Sequence, residues 1–176
     1  MGFGKPIVSF VFEAEDCIRD HLWPRGLGEV YKRLVVETSV ETVALAIREA
    51  ELSKKAIAPG RPQLGGESAD VNIAYAVQEA NTQRALAEGR LLVGRKIGLT
   101  SVAVQKQLGV DSPDFGMLFA DMSYGDGEAI PAGLLIQPKV EAEIALIINK
   151  DLTQEKHTYA DIISATEYAL PAVEVV

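Results

Sequence analysis

The segment Lys139-Val140-Glu141-Ala142-Glu143-Ile144-Ala145-Leu146-Ile147-Ile148 carries the first chemical signal in the chain. Read as a strand, its alternate residues share a face, so Glu141 and Glu143 point one way while Val140, Ala142, Ile144, Leu146 and Ile148 point the other. The carboxylate face continues through Ala145 and Ile147 and grows apolar, which suits the mouth of a pocket better than a solvated surface. Two adjacent carboxylates repel and are pushed upward in pKa unless a cation sits between them. A hard divalent ion such as Mg²⁺ or Mn²⁺ matches oxygen-only donors. Glu174, in Pro171-Ala172-Val173-Glu174-Val175-Val176, is the third candidate ligand, since an acid within an apolar extended segment needs a partner. Spacing alone leaves a charged edge-strand face and a frayed terminus open as the alternatives.

Lys96 is the second signal. Its neighbours at two residues on either side are Gly94 and Gly98, which leave room beside the ammonium for a ligand to approach the backbone. A lysine so placed can bind a carboxylate or act as acid/base, and it can equally be an edge-strand lysine that discourages aggregation. Asp114, in Ser112-Pro113-Asp114-Phe115-Gly116, reads by default as a turn-former in a loop that leads into a strand, although such loops also carry functional acids. Arg95 points away from Lys96 and reads as structural. His21, His157 and Cys17 have no partners in sequence that make a nucleophile or a relay, and Gly26-Leu27-Gly28 lacks the context of a nucleotide loop and reads as a plain loop.

The elements that must position these residues are legible from periodicity and punctuation. Thr38 and Glu41 have capping-box spacing, and Val40, Val43, Ala44, Ile47 and Ala50 follow at helical period, which predicts a helix to about Lys55. Ala58-Pro59-Gly60-Arg61-Pro62 breaks it. A second helix is expected from about Ser68 to Gly89, burying Ile73, Ala76, Val77 and Ala80. Leu91 to Leu99 predicts a strand, and Thr100-Ser101 caps a short helix, Val102 to Leu108. Phe115 to Met122, a tight Asp126-Gly127 turn and Glu128 to Ile130 predict a strand and its return. Lys139 to Asn149 is expected to be the longest strand, Thr158 and Asp161 cap a helix to about Tyr168, and Pro171 introduces a last extended piece.

Composition bounds the function. Of 176 residues 48% are apolar and 24% charged, with 17 Lys+Arg against 25 Asp+Glu and a net charge of −8. A pI near 4.8 with no basic cluster makes nucleic acid an improbable partner. No apolar run reaches the roughly 18 to 20 residues of a membrane span. The opening run Ile7 to Phe12 reads as strand-like because Glu13, Glu15 and Asp16 follow it where a signal peptide needs small residues. One cysteine excludes an internal disulfide framework and fits a reducing compartment, so the expected location is cytoplasmic.

Four blocks, taken together, resemble the 2-keto-4-pentenoate hydratases of the hydratase/decarboxylase branch of the fumarylacetoacetate hydrolase superfamily. They are Gly94-Arg95-Lys96-Ile97-Gly98-Leu99-Thr100-Ser101, Gln107 to Met122, Glu141-Ala142-Glu143-Ile144-Ala145, and Leu170 to Val176. The resemblance runs from about residue 38 to the end. It implies an α+β fold, a helical N-terminal part followed by the first portion of a fumarylacetoacetate-hydrolase-like mixed β-sheet. It also implies a hydro-lyase that adds water to 2-hydroxypenta-2,4-dienoate to give 4-hydroxy-2-oxopentanoate in aromatic meta-cleavage catabolism. Carried over by position, Glu141, Glu143 and Glu174 resemble the metal ligands for Mg²⁺ or Mn²⁺, Lys96 the active-site lysine, and Asp114 a pocket acid. The implied partners are a small 2-hydroxydienoate and further copies of the chain, with a sister decarboxylase possible beside them.

Two departures qualify the resemblance. Residues 1–36 do not match the family's usual opening and are expected to stand apart, ahead of a helical part at 37–90 and a β-rich metal-binding part at 91–176. Such enzymes also continue into further strands beyond a position equivalent to Val176, so the expected fold is an incomplete one. The alternatives are a 4-oxalocrotonate decarboxylase of the same branch, and a fragment that binds a divalent ion or a sister subunit without turnover.

Overall fold

A computed structural model describes residues 26–66 and 70–176. The expectations placed on Ile7 to Phe12, on Cys17 and His21, and on Ser68 as a helix start lie outside the described residues. The rest of the chain forms two compact units. One holds the helices up to Gly89 together with Asp126–Ile136, and the other comprises Arg90–Gly125 and Gln137–Val176.

In the helical unit, α1 (Gly26–Ser53) packs on α2 (Val71–Ala87), and a 3-10 turn (Arg61–Leu64) links them. The first helix begins a full dozen residues before the expected cap, and Gly26-Leu27-Gly28 lies in its first turn and not in a loop. Thr38 sits inside it, its carbonyl accepting from Thr42 Oγ1 at 2.8 Å. Threonine and glutamate three apart are neighbours on a helix surface as well as at a helix start, which is why the spacing misleads. Val43, Ala44 and Val77 form the core, with Val40, Leu64 and Ala80 packed against it. Ile47 and Ala76 are exposed, against the expected inward face. Gly60 stands against this core, where an added Cβ would meet Val43 Cγ1 at 2.7 Å. Asn81 Nδ2 donates to Ala44 O at 2.9 Å, and ion pairs Arg84 to Glu41 and Arg48 to Glu88 tie the helix flanks.

In the other unit, β1 (Leu92–Gly98) runs antiparallel to β2 (Asp114–Phe119), with α3 (Val102–Leu108) between them in sequence. The partner of β2 is thus β1. The expected return strand Glu128 to Ile130 is not a strand, and Asp126-Gly127 makes a turn without a hairpin. The second ladder pairs β3 (Val140–Ile148) antiparallel with β4 (Thr166–Val175), which follows α4 (Tyr159–Ala165) with no intervening loop. The last helix therefore ends at Ala165, three residues short of its expected end, and β4 at ten residues is longer than β3 at nine. Pro171 lies within β4, opposite Ile144. A proline is tolerated there because each strand of a two-stranded ladder has an edge that needs no donor. Thr158 and Asp161 form the expected capping box, and the two hydrogen bonds from Thr158 hold the Asp161 carboxyl below its ordinary range.

Along β3 the carboxylate face runs into the core, Ala145 and Ile147 being only 7% and 4% exposed, whereas Val140 and Ile144 on the opposite face are 71% and 70% exposed. Alternation had placed the two acids on the face that turns apolar, and this is the buried one.

Candidate active site

Register brings the acids together. In the β3·β4 ladder Glu141 lies directly opposite Glu174, and Glu143 opposite Ala172. Opposed residues of an antiparallel pair share a face, so all three carboxylates project from the same side. One oxygen from each lies within 4.8 Å of the other two. Like charges directly opposite destabilise a ladder, and a third beside them adds to the cost. The arrangement calls for positive charge.

Lys96 supplies some of it: Nζ is 2.6 Å from Glu174 Oε1, with the lysine side chain 33% and the glutamate 22% exposed. Its position follows from β1, where Gly94, Lys96 and Gly98 share one face. Across the ladder Lys96 pairs with Gly116 and Gly98 pairs with Asp114, so Lys96 and Asp114 stand diagonally on that same face. Asp114 is accordingly the first residue of a strand and not a turn-former.

Two glycines make this face workable. A Cβ on Gly116 would come within 2.9 Å of Lys96 Cγ, and one on Gly98 within 2.0 Å of Asp114 Oδ1. Gly116 gives the lysine stem its path across the strand and Gly98 gives the aspartate its seat. Gly116 escapes a sequence reading that pairs β2 with a strand following it, since its importance appears only once β1 is known to be its neighbour.

Past Gly98 the chain turns sharply. Leu99 adopts φ +54°, a left-handed conformation that side chains other than glycine take at a cost. Gln105 from α3, itself buried, donates through Nε2 to Leu99 O at 2.6 Å and holds the turn. Nothing in the local sequence marks this glutamine, because its contact depends on the backbone conformation six residues earlier. On the far side of the ladder, Arg90 grips Asp121 with two 2.8 Å hydrogen bonds and stacks 4.3 Å from the Phe119 ring centre. The guanidinium bonds hold the Asp121 carboxyl below its ordinary 3.8, outweighing the small upward push of burial.

The five residues singled out by sequence therefore form one constellation: three carboxylates, an ammonium paired to one of them, and an aspartate on the ammonium's strand face. An oxygen-only donor set this tight fits a hard divalent cation, with Glu141, Glu143 and Glu174 as the holders. His157 is not part of it and has a buried Nε2 with no hydrogen-bond partner, and Cys17 lies outside the described residues.

Over 138 residues the chain is 64% identical to 2-keto-4-pentenoate hydratase 1 of Dechloromonas aromatica (strain RCB), a match spanning 78% of this chain and 52% of that relative. The chain is a relative of the 2-keto-4-pentenoate hydratases. The hydratase of that name from Burkholderia vietnamiensis (strain G4 / LMG 22486) is 58% identical over 140 residues, 80% of this chain and 53% of the relative. No family model matches the chain. Among solved structures, 4-oxalocrotonate decarboxylase from Pseudomonas putida G7, complexed with calcium and acetate, superposes with a TM-score of 0.72 at 34% identity. That match covers 80% of this chain and 53% of the decarboxylase. The same enzyme complexed with magnesium and adipate gives the same TM-score. The fold of this hydratase relative is thus α+β and corresponds to part of the decarboxylase fold, and the chain spans about half the length of the relatives it matches.

Proposed function

We propose that this chain carries the cation site and acid/base face of a hydro-lyase that converts 2-hydroxypenta-2,4-dienoate into 4-hydroxy-2-oxopentanoate. The observation that supports it is the convergence of Glu141, Glu143 and Glu174 within 4.8 Å of one another beside Lys96, in a chain 64% identical to a named hydratase. Magnesium or calcium accompanies the solved decarboxylase structures, in keeping with a hard cation here. When bound, Mg²⁺ or Mn²⁺ supplies Lewis-acid neutralisation for the two proximal oxygens of an α-keto acid.

The protein's own groups do the rest. Glu141, Glu143 and Glu174 hold the cation, Lys96 orients the substrate's anionic end, and Asp114, exposed on the same strand face, exchanges protons with the reacting chain. The balance is net addition of water. The enol O–H loses its proton, C5 gains one, the water oxygen bonds to C4, and the remaining hydrogen of that water ends at C3. The space that Gly98 and Gly116 leave beside Asp114 and Lys96 supports these roles.

The substrate is a small monocarboxylate anion, and neither nucleic acid nor membrane is part of the proposal. Among the described residues no helix is long and apolar enough to cross a membrane. The cytoplasm fits a chain with a single cysteine. Assembly as a homo-oligomer, with or without a sister decarboxylase, completes the reading.

The test is an assay of the chain with Mg²⁺ on two substrates, following loss of the dienol chromophore. Hydration of the pentadienoate supports the proposal. Turnover of the oxalocrotonate enol alone assigns the site to the decarboxylase reaction instead, for which the solved neighbours speak. Cation binding without turnover of either leaves a binding fragment.

A further inference from the structure

Glu174 is claimed from two directions. Its carboxylate belongs to the three-acid cluster, and one of its oxygens is 2.6 Å from Lys96 Nζ. The oxygen that accepts this charge-assisted hydrogen bond has a lone pair committed to the ammonium, so a small divalent cation that draws the carboxylate into its tight shell competes with Lys96 for it. A divalent ion among the three acids would also sit close to the ammonium, and like charges at that range repel strongly where water screens them only in part. Both side chains are mostly shielded, the lysine being 33% and the glutamate 22% exposed.

We propose that Lys96 is the resident counter-cation of the Glu141-Glu143-Glu174 cluster, and that a divalent ion displaces its ammonium from Glu174. The freed ammonium then takes the anionic end of the substrate, so the ion must bind first. The substrate step rests on the function proposed above, whereas the exchange itself rests on the ion pair and the cluster. The surroundings of Lys96 permit the movement. Gly94 and Gly98 flank it on its own strand and Gly116 faces it across the ladder, so no side chain at these three positions blocks its stem. Asp114, diagonal to Lys96 on that face, offers the displaced ammonium a second anion. The acids that face Lys96 are thus Glu174 with its two neighbours on one side and Asp114 on the other.

The exchange makes Lys96 a competitor of the cation, and this sets the direction of the test. Mn²⁺ binding to the full chain is followed by the electron paramagnetic resonance of the free ion, for wild type, Lys96→Met and Lys96→Arg. Lys96→Met is expected to bind Mn²⁺ about tenfold more tightly, the scale of one partly screened like-charge contact removed. Lys96→Arg keeps the charge and is expected to stay within about threefold of wild type. Equal or weaker binding by Lys96→Met overturns the exchange while leaving the cation site standing. Failure of every variant and of wild type to bind Mn²⁺ overturns the cation site and the exchange with it. Should Lys96→Met not fold, the wild-type Nζ resonance of Lys96, identified by its loss in Lys96→Arg, answers the same question. It is expected to shift along the Mg²⁺ titration, and a resonance that stays in place through saturation overturns the proposal.

Discussion

Gly98 and Gly116 show how much of the site is built from missing atoms. Each stands where a methyl group would collide with a side chain of the proposed site, Asp114 Oδ1 at 2.0 Å and Lys96 Cγ at 2.9 Å. The first collision is the more severe, because the carboxylate must rotate off the strand face altogether, whereas the lysine stem can bend. Gly98→Ala is therefore expected to lower hydration turnover by about a hundredfold, the scale on which small misplacements of a reacting group act. Mn²⁺ affinity should change much less than turnover, since the three proposed ligands sit on another ladder and meet the face of Asp114 only through Lys96. Turnover equal to wild type would show that the Asp114 carboxylate plays no part. At this scale the sequence was readable where local: alternation alone put Glu141 and Glu143 on one face. The pairing of Lys96 with Glu174 was not, because the two are far apart in sequence and meet only through the register of two separate ladders.

The turn from β1 into α3 ties an element boundary to the site. Leu99 is held left-handed by a hydrogen bond from a buried glutamine, and removing the donor leaves a carbonyl unsatisfied as well as releasing the turn. Gln105→Ala should cost about 1 to 3 kcal/mol of unfolding free energy. In a Leu99→Gly background the loss should shrink, since glycine adopts the turn without help. Equal losses in both backgrounds would show that the glutamine does not support the turn. The Arg90-Asp121 clamp at the other end of the ladder predicts an acid response. Its folded pKa lies below the 3.8 of the unfolded carboxyl, so the stabilisation is complete above that value and is lost as pH falls through the lower folded pKa. Asp121→Asn should accordingly be less stable than wild type at neutral pH and converge with it in acid, as urea unfolding at a series of pH values would reveal. A constant gap across that range would mean the clamp does not titrate with folding. Caps were the most legible signals for these elements, as at Thr158 and Asp161, where both reciprocal bonds form. The same spacing at Thr38 and Glu41 misled, because three-residue neighbours occur throughout a helix and only an interruption of the periodic pattern distinguishes the end from the middle.

At the scale of the whole molecule, the division of labour between the two units makes cation binding traceable. All three carboxylates and Lys96 lie in the unit formed by Arg90–Gly125 and Gln137–Val176, while the helical unit holds a separate core at Val43, Ala44 and Val77. The opposed Glu141 and Glu174 work against their own ladder, and the single ammonium of Lys96 offsets only part of three carboxylate charges, so the pairing of β3 with β4 is the structure that a divalent cation should strengthen most. A ligand that binds only the folded form stabilises it by about 2.7 kcal/mol at one hundred times its dissociation constant. Saturating Mg²⁺ is therefore expected to slow amide hydrogen exchange in β3 and β4 first and most. The amides of α1 and α2 should respond less, and Glu174→Gln should weaken the effect by removing one charged ligand and easing the repulsion that the ion offsets. Protection that rises equally along the chain, or that persists undiminished in Glu174→Gln, would place the ion elsewhere and leave the three acids without the role their convergence implies.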